Sequence, residues 1–499
     1  MNSEASLERL EGKIGDISLE LDADAMRRAG YQVVDWLVER FDRLGQSPLG
    51  RELSRAETES LLREALPEEP TNFEAVFEQY QRDVAPNAFQ LDHPRFFAFI
   101  PSAPNFVSVL ADALVAGTNV FAGTWLESSG PSQVELIVID WFKQILGMPA
   151  RAAGLLVSGG SVANLTSLAV ARHAILSDRT ERAVLYCSDQ THASVDRALR
   201  VLGFGQEQLR RLSTDADYRL NVAELVAAID NDRKAGLRPF AVIGNAGTTN
   251  TGAVDPLEKI GEVAGEHSLW FHVDAAYGGF AALTDRGQML LRGIERADSL
   301  VLDPHKWFYC PFDTGCAIVR DGRLMRETFR ILPDYMHDVE REEREVNFCD
   351  YGLQLTRSFR ALRIWMAVKT FGARRFRQVI DQCLDLADYA ALLFQQSPRI
   401  ALLTRPQLGV IAFRYMPGEL PPNFSEHKAF IDRVNEDLEA RIARSGQLML
   451  SSTRLGGRYV LRFCVLNHRT RKQDVQFALR LIEQFGREAE EELHNKSAV

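Results

Sequence analysis

Long apolar runs are missing from this chain: none approaches the roughly 20 residues of a membrane-spanning helix, so no membrane partner is expected. The first fifteen residues, Met1 to Gly15, are charged and polar and lack the apolar core of an export signal, which predicts a cytoplasmic location. Cysteine is scarce. The six present (Cys187, Cys310, Cys316, Cys349, Cys383, Cys464) are scattered with no Cys-x-x-Cys pair, which points to reduced thiols rather than a disulfide framework, and no metal site is expected. Positive charge is also short. A formal net charge of -10 and a pI near 5.6 argue against the concentrated basic patch a nucleic-acid partner would require.

What remains is a chain of 499 residues, enough for two or three domains around a large core, with no low-complexity tract. Its first part reads as helical: Val33, Trp36, Leu37 and Phe41 share one face of a helix over 21–44, and a second helix spans 55–65 before Pro67-Glu68-Glu69-Pro70. The aromatic segment His93 to Pro101 follows, then a loop over 117–131 and a helix over 132–146. From Leu155 the pattern becomes strand, turn, helix, repeated. Strands are predicted over 155–157, 183–186, 240–243, 269–273, 299–302 and 316–319, with helices over 162–176, 192–202 and 256–264 between them. Alternation of this kind predicts an α/β fold with a mostly parallel sheet, whose ligands bind beyond the carboxyl ends of the strands. The stretch 320–349, dense in acids and arginines at 338–345, reads as a solvated segment that could act as a lid. After it comes a smaller α/β unit. The expected division is a helical N-terminal arm over 1–105, a large domain over 106–377 and a small C-terminal domain over 378–499.

The polar residues gather at the predicted strand ends. Leu300-Val301-Leu302 runs into Asp303-Pro304-His305-Lys306-Trp307, and a lysine just past a buried strand is expected to be held unhydrated with a lowered pKa. Such an amine suits a Schiff base with a carbonyl cofactor, pyridoxal 5'-phosphate (PLP) above all. Ser158-Gly159-Gly160-Ser161 opens a helix and offers backbone N–H groups, a hydroxyl and a helix N-terminus to a phosphate; it is neither a Walker A loop nor a dinucleotide fingerprint. Asp274 ends a hydrophobic strand, where a carboxylate can keep a pyridine nitrogen protonated. His192 follows another strand end and could stack on a ring or move a proton.

Taken together, Ser158-Gly159-Gly160-Ser161, Asp189 to Ser194, Gly247-Thr248-Thr249, His272 to Tyr277 and Asp303 to Trp307 resemble the group II PLP-dependent decarboxylases, the aromatic-L-amino-acid decarboxylases in particular. The resemblance runs from about Leu91 to the C-terminal hairpin and implies the fold-type I, aminotransferase-like architecture and a homodimer with shared active sites. It implies PLP bound covalently to Lys306, His192 on the ring, Asp274 at the pyridine nitrogen, and Gly160, Ser161, Thr248, Ala276, Asp303 and His305 around the cofactor. Tyr335 matches the mobile-loop tyrosine that protonates the substrate carbon, and Phe99, Pro101, Ser102 and Trp125 (the last from the partner subunit) match the substrate pocket. Asp303 is a departure, because relatives often carry asparagine there. An acid beside a phosphate needs a backbone N–H or a retained proton.

The implied activity is decarboxylation of an L-amino acid, with an aromatic side chain, to the amine and carbon dioxide. An aldehyde synthase on the same site is the nearest alternative, and Tyr335 argues against it. Decarboxylation of acidic or diamino acids calls for a charged pocket, whereas Phe99, Ile100 and Trp125 are apolar. A non-enzymatic scaffold is disfavoured by Lys306, Asp274, His192 and Tyr335 occurring together.

Overall fold

The computed structural model describes residues 3–15, 18–331, 345–420 and 426–497. Two compact units divide it, Met1–Phe89 and Gln90–Val499. In the first, the helix Ala23–Arg43 starts where Asp22 accepts a hydrogen bond from Ala25 N at 2.8 Å, and the helix Arg55–Leu62 starts in a capping box between Ser54 and Glu57. Trp36 meets Phe77 and Tyr80 edge-on, with centroids 6.0 and 5.7 Å away. The long helix buries none of its residues.

The second unit is built on a seven-stranded sheet. Its strands are β1 (Ala153–Val157), β2 (Ala183–Ser188), β3 (Leu209–Leu212), β4 (Arg238–Asn245), β5 (Trp270–Asp274), β6 (Ser299–Leu302) and β7 (Gly315–Val319). They lie in the order β1-β7-β6-β5-β4-β2-β3. Strand β7 is antiparallel to both neighbours, and the other pairs are parallel. Two reversals return β1 to the direction of β6, so β1, β2, β4, β5 and β6 all end on one edge. Every residue of β2, β5, β6 and β7 is buried, which is why these strands read as unbroken apolar runs instead of alternating ones.

Several elements escaped the sequence pattern, the helix Phe106–Thr118 among them. Strand β3, Leu209-Arg210-Arg211-Leu212, is an edge strand whose arginines pair with Asp232 and Asp196, so it carries no apolar run. The helix Val222–Lys234 is capped by Asn221, which accepts from Ala223 N and Glu224 N. Trp125–Leu146 is two helices joined across a kink at Ser128 (φ -153°): the first is capped by Thr124, with Asn347 Oδ1 accepting from Trp125 N at 2.9 Å, and the second carries Pro131 in its first turn, where no N–H is needed, close to the expected start.

A helix over Ala361–Gln395, bent at Gly372 (φ 73°), leads into a second, antiparallel sheet. Strands β8 (Ile400–Leu402), β9 (Val410–Tyr415), β10 (Ser451–Leu455) and β11 (Arg458–Cys464) lie in the order β10-β11-β9-β8, covered by helices His427–Ser445 and Lys472–Ser497. Phe97 stacks on Phe463 at 3.9 Å, and Cys464 N donates to Phe97 O, so the aromatic segment before the large sheet is pinned to the small one. No helix among the described residues is long and apolar enough to cross a membrane.

Candidate active site

At the end of β1 the chain passes through Ser158 and Gly159 into the helix Gly160–Leu176. The first N–H groups of a helix have no intrahelical acceptor, and the start of this one lies against the loop after β6. The approach is close. A Cβ on Gly160 would lie 2.9 Å from Asp303 Oδ2 and 3.2 Å from the Ala276 methyl, so the turn admits nothing larger than glycine without a shift.

Strand β5 carries Asp274 to the same edge, where the side chain is nearly buried and both oxygens are engaged. Oδ1 accepts from Ala276 N at 3.1 Å and Oδ2 from Asn164 Nδ2 at 3.0 Å. After β2, His192 Nδ1 accepts from Ser194 N at 3.2 Å and lies 2.8 Å from Ser194 Oγ. A backbone N–H only donates, so the neutral imidazole carries its proton on Nε2. Beyond β4, Gly247 (φ 100°) turns the chain against Tyr277, and Thr248 Oγ1 pairs with Thr251 Oγ1 at 2.9 Å. Asn245 donates through Nδ2 to Asp255 Oδ2 (2.8 Å) and Thr191 Oγ1 (3.0 Å), tying the β2 and β4 loops together.

Lys306 corrects the sequence expectation. Burial lowers the pKa of its amine, as anticipated, but Asp303 Oδ2 at 2.9 Å and the nearby Asp274 outweigh burial and hold the pKa above its ordinary value. Asp303 is itself buried; its Oδ1 has no hydrogen-bond partner, and His305 Nε2 lies 3.7 Å from Oδ2. His305 Nδ1 lies 2.7 Å from Thr314 O, an acceptor only, so Nδ1 carries the proton. Burial, with help from Lys306, pushes the His305 pKa down despite Asp303.

These groups surround a cavity of about 310 Å³. The nine residues expected around the cofactor, Gly160, Ser161, His192, Thr248, Asp274, Ala276, Asp303, His305 and Lys306, all line it. Phe99, Pro101, Ser102 and Trp125 do not. Phe99 is held by its backbone, N to Ser451 Oγ and O to Arg462, in a left-handed conformation (φ 55°) that leaves the residue 59% exposed. Ser102 donates to Cys310 O, and Trp125 starts its helix beside Asn347. Tyr335 lies outside the described residues. Sequence reasoning passed over Asn164, Ser194 and Asn245, which also line the cavity. Asn164 had a signal: asparagine is a poor helix former, yet it stands one turn inside a helix, on the face of Ser161.

The donor set fits PLP. A helix N-terminus with a glycine cradle suits the phosphate, a saturated carboxylate suits the pyridine nitrogen, and a half-buried lysine suits the aldehyde, while Asp303 Oδ1, with no N–H on it, does not meet the requirement of an acid beside a phosphate.

Comparison with known proteins agrees with this geometry. Residues 56–416 match the pyridoxal-dependent decarboxylase conserved domain. The chain is similar to the aromatic-L-amino-acid decarboxylase of Bacillus atrophaeus, 42% identical over 92% of this chain and 95% of the relative. It is also similar to the phenylacetaldehyde synthase of Arabidopsis thaliana, 29% identical over 95% of this chain and 98% of the relative. Among solved structures, Oryza sativa TDC with PLP and tryptamine superposes with a TM-score of 0.88 at 27% identity, covering 95% of this chain and 99% of the other.

Proposed function

The chain belongs to the pyridoxal-dependent decarboxylase family and is a PLP-dependent carboxy-lyase, and we propose that it converts an aromatic L-amino acid to the amine and carbon dioxide. The observation that carries the reading is a half-buried lysine paired with Asp303 and under the charge of Asp274, in a cavity that His192 also lines. Bound PLP supplies an aldehyde that condenses with amines and a ring that accepts the electron pair left by carbon dioxide.

Each residue has a proposed part. Lys306 Nζ carries the cofactor and gives way to the substrate amine. Gly160, Ser161 and His305 hold the phosphate, and Thr248 and Ala276 flank the ring. Asp274 holds a negative charge at the ring nitrogen, its orientation set by Ala276 N and Asn164. His192 presents its Nε2–H to the substrate and, with Tyr335, returns a proton to the α-carbon. Phe99, Pro101, Ser102 and the Trp125 of a second copy form the wall for the substrate ring. A homodimer with shared sites is part of the same reading. A cytoplasmic location and the division into arm, large and small domains complete the reading.

Carbon dioxide release measured across the amino acids, with hydrogen peroxide followed in parallel, tests this. Aromatic amino acids are expected to release carbon dioxide with equal amine and no peroxide. Release from acidic or diamino acids alone overturns the substrate reading. Peroxide in step with carbon dioxide turns it to the aldehyde synthase reading, which is represented among the relatives by the less similar phenylacetaldehyde synthase.

A further inference from the structure

Behind the cavity a chain of hydrogen bonds runs from Trp270 through the sheet to the two groups that would face the cofactor ring. Trp270 Nε1 donates to Ser299 Oγ at 2.8 Å, and Ser299 Oγ lies 2.7 Å from His272 Nδ1. His272 Nε2 is 2.8 Å from Asn164 Oδ1. Asn164 Nδ2 then donates twice, to Asp274 Oδ2 at 3.0 Å and to Ser194 Oγ at 2.9 Å, and Ser194 Oγ reaches His192 Nδ1 at 2.8 Å.

The polarity of this chain has one solution. An indole N–H only donates and a carboxylate only accepts. Facing Asp274, Asn164 must therefore present its amide hydrogens; a flipped amide would set two oxygens against each other at 3.0 Å. Its carbonyl then faces His272, which must carry a proton on Nε2. His272 is fully buried, and burial pushes its pKa down to about 4 against the opposing pull of Asp274, so the ring is neutral. Its Nδ1 then accepts from the Ser299 hydroxyl, whose oxygen accepts from Trp270. At the far end the Ser194 hydroxyl, already accepting from Asn164, has its hydrogen free for His192 Nδ1.

We propose that Asn164 and His272 are positioning residues for the decarboxylation, Asn164 acting as a fork that orients Asp274 with one amide hydrogen and His192, through Ser194, with the other. His272 acts only through Asn164, by holding the amide in the orientation that serves both branches. The proposal rests on the reading of Asp274 and His192 given above. It concerns Asn164 in the cavity wall and His272 behind it, and it makes the ring-nitrogen partner and the proton-carrying histidine one hydrogen-bonded unit.

The test uses purified holoenzyme, reading the PLP dissociation constant and visible band alongside kcat and KM. Asn164→Ala and His272→Leu are each expected to weaken PLP binding about 10- to 100-fold, the worth of one charge-assisted hydrogen bond, and to lower kcat with KM unchanged. His272→Gln, which keeps an N–H donor and a carbonyl acceptor, is expected to restore most of the loss. The double variant Asn164→Ala/His272→Leu should be no worse than Asn164→Ala alone. Ser299→Ala, away from the cavity, should show a smaller loss in the same readouts and keeps the test available if a core variant does not fold. Additive losses in the double variant, a glutamine as damaging as leucine, or unchanged affinity and kcat in both the Asn164 and Ser299 variants overturns the proposal. Asp274→Asn is measured beside them: if it leaves affinity and the visible band unchanged, the site reading fails and the fork falls with it. If only Asp274→Asn has an effect, the fork alone is wrong.

Discussion

Two neighbouring strand ends each deliver an aspartate to the cavity, and they are finished differently. At the end of β5, Asp274 has a donor on each oxygen and a network of buried residues behind it. At the end of β6, Asp303 has Lys306 on one oxygen and nothing on the other, although it is the more deeply buried of the two. A buried acceptor left open is costly unless something else completes it. The contrast separates a carboxylate saturated by donors from one whose close contact is the lysine itself.

Four variants probe that contrast, in order of expected effect. Lys306→Ala should abolish turnover and the visible band of the attached cofactor; normal turnover would sink the whole scheme. Asp274→Asn should lower kcat about 100- to 1,000-fold, the usual loss when a preorganised electrostatic partner is removed, and a drop under tenfold would show that the β5 end matters less than its saturation suggests. Gly160→Ala, which drives a methyl group to 2.9 Å from Asp303, should weaken PLP binding about tenfold, measured by absorbance titration. An unchanged dissociation constant would mean the cradle yields easily.

Asp303→Asn should do least to the fold and most to the pH dependence. The Lys306 amine has a raised pKa because Asp303 and Asp274 outweigh burial, so at neutral pH little of it is unprotonated and PLP capture speeds up as pH rises. Removing the Asp303 charge lowers that pKa and shifts the rise to lower pH. Capture by the apoenzyme at pH 7.5, followed by stopped-flow absorbance, is then expected to be several-fold faster than wild type. A profile that does not move would show that Asp303 does not control the amine.

The residues of the cavity were largely legible in the chain because each stands at the end of an apolar run, and the runs themselves are legible wherever a strand is covered on both faces. Where that cover fails, so does the reading. Strand β3 lies at the edge with two arginines in four residues, so it carries no apolar run. The proposed substrate wall came from the resemblance and not from local pattern; Phe99 stands in an aromatic segment and Trp125 at a helix start, and their backbone contacts are with residues more than 200 positions away.

By itself the sequence determined the order of the chemistry: a phosphate cradle, a histidine, an acid and a lysine, each at a strand end, because hydrophobic runs and the turns that close them are local properties. Only the tertiary structure decided the protonation of Lys306 and the orientation of Asn164. Asn164 depends on an acid and a histidine brought within 3.0 Å by β5, and Lys306 on the charge of Asp274 from that strand added to Asp303 three residues before it, against burial that acts in the opposite sense on the lysine. Electrostatic balance in a buried site is a sum over neighbours in space, and no spacing along the chain contains it.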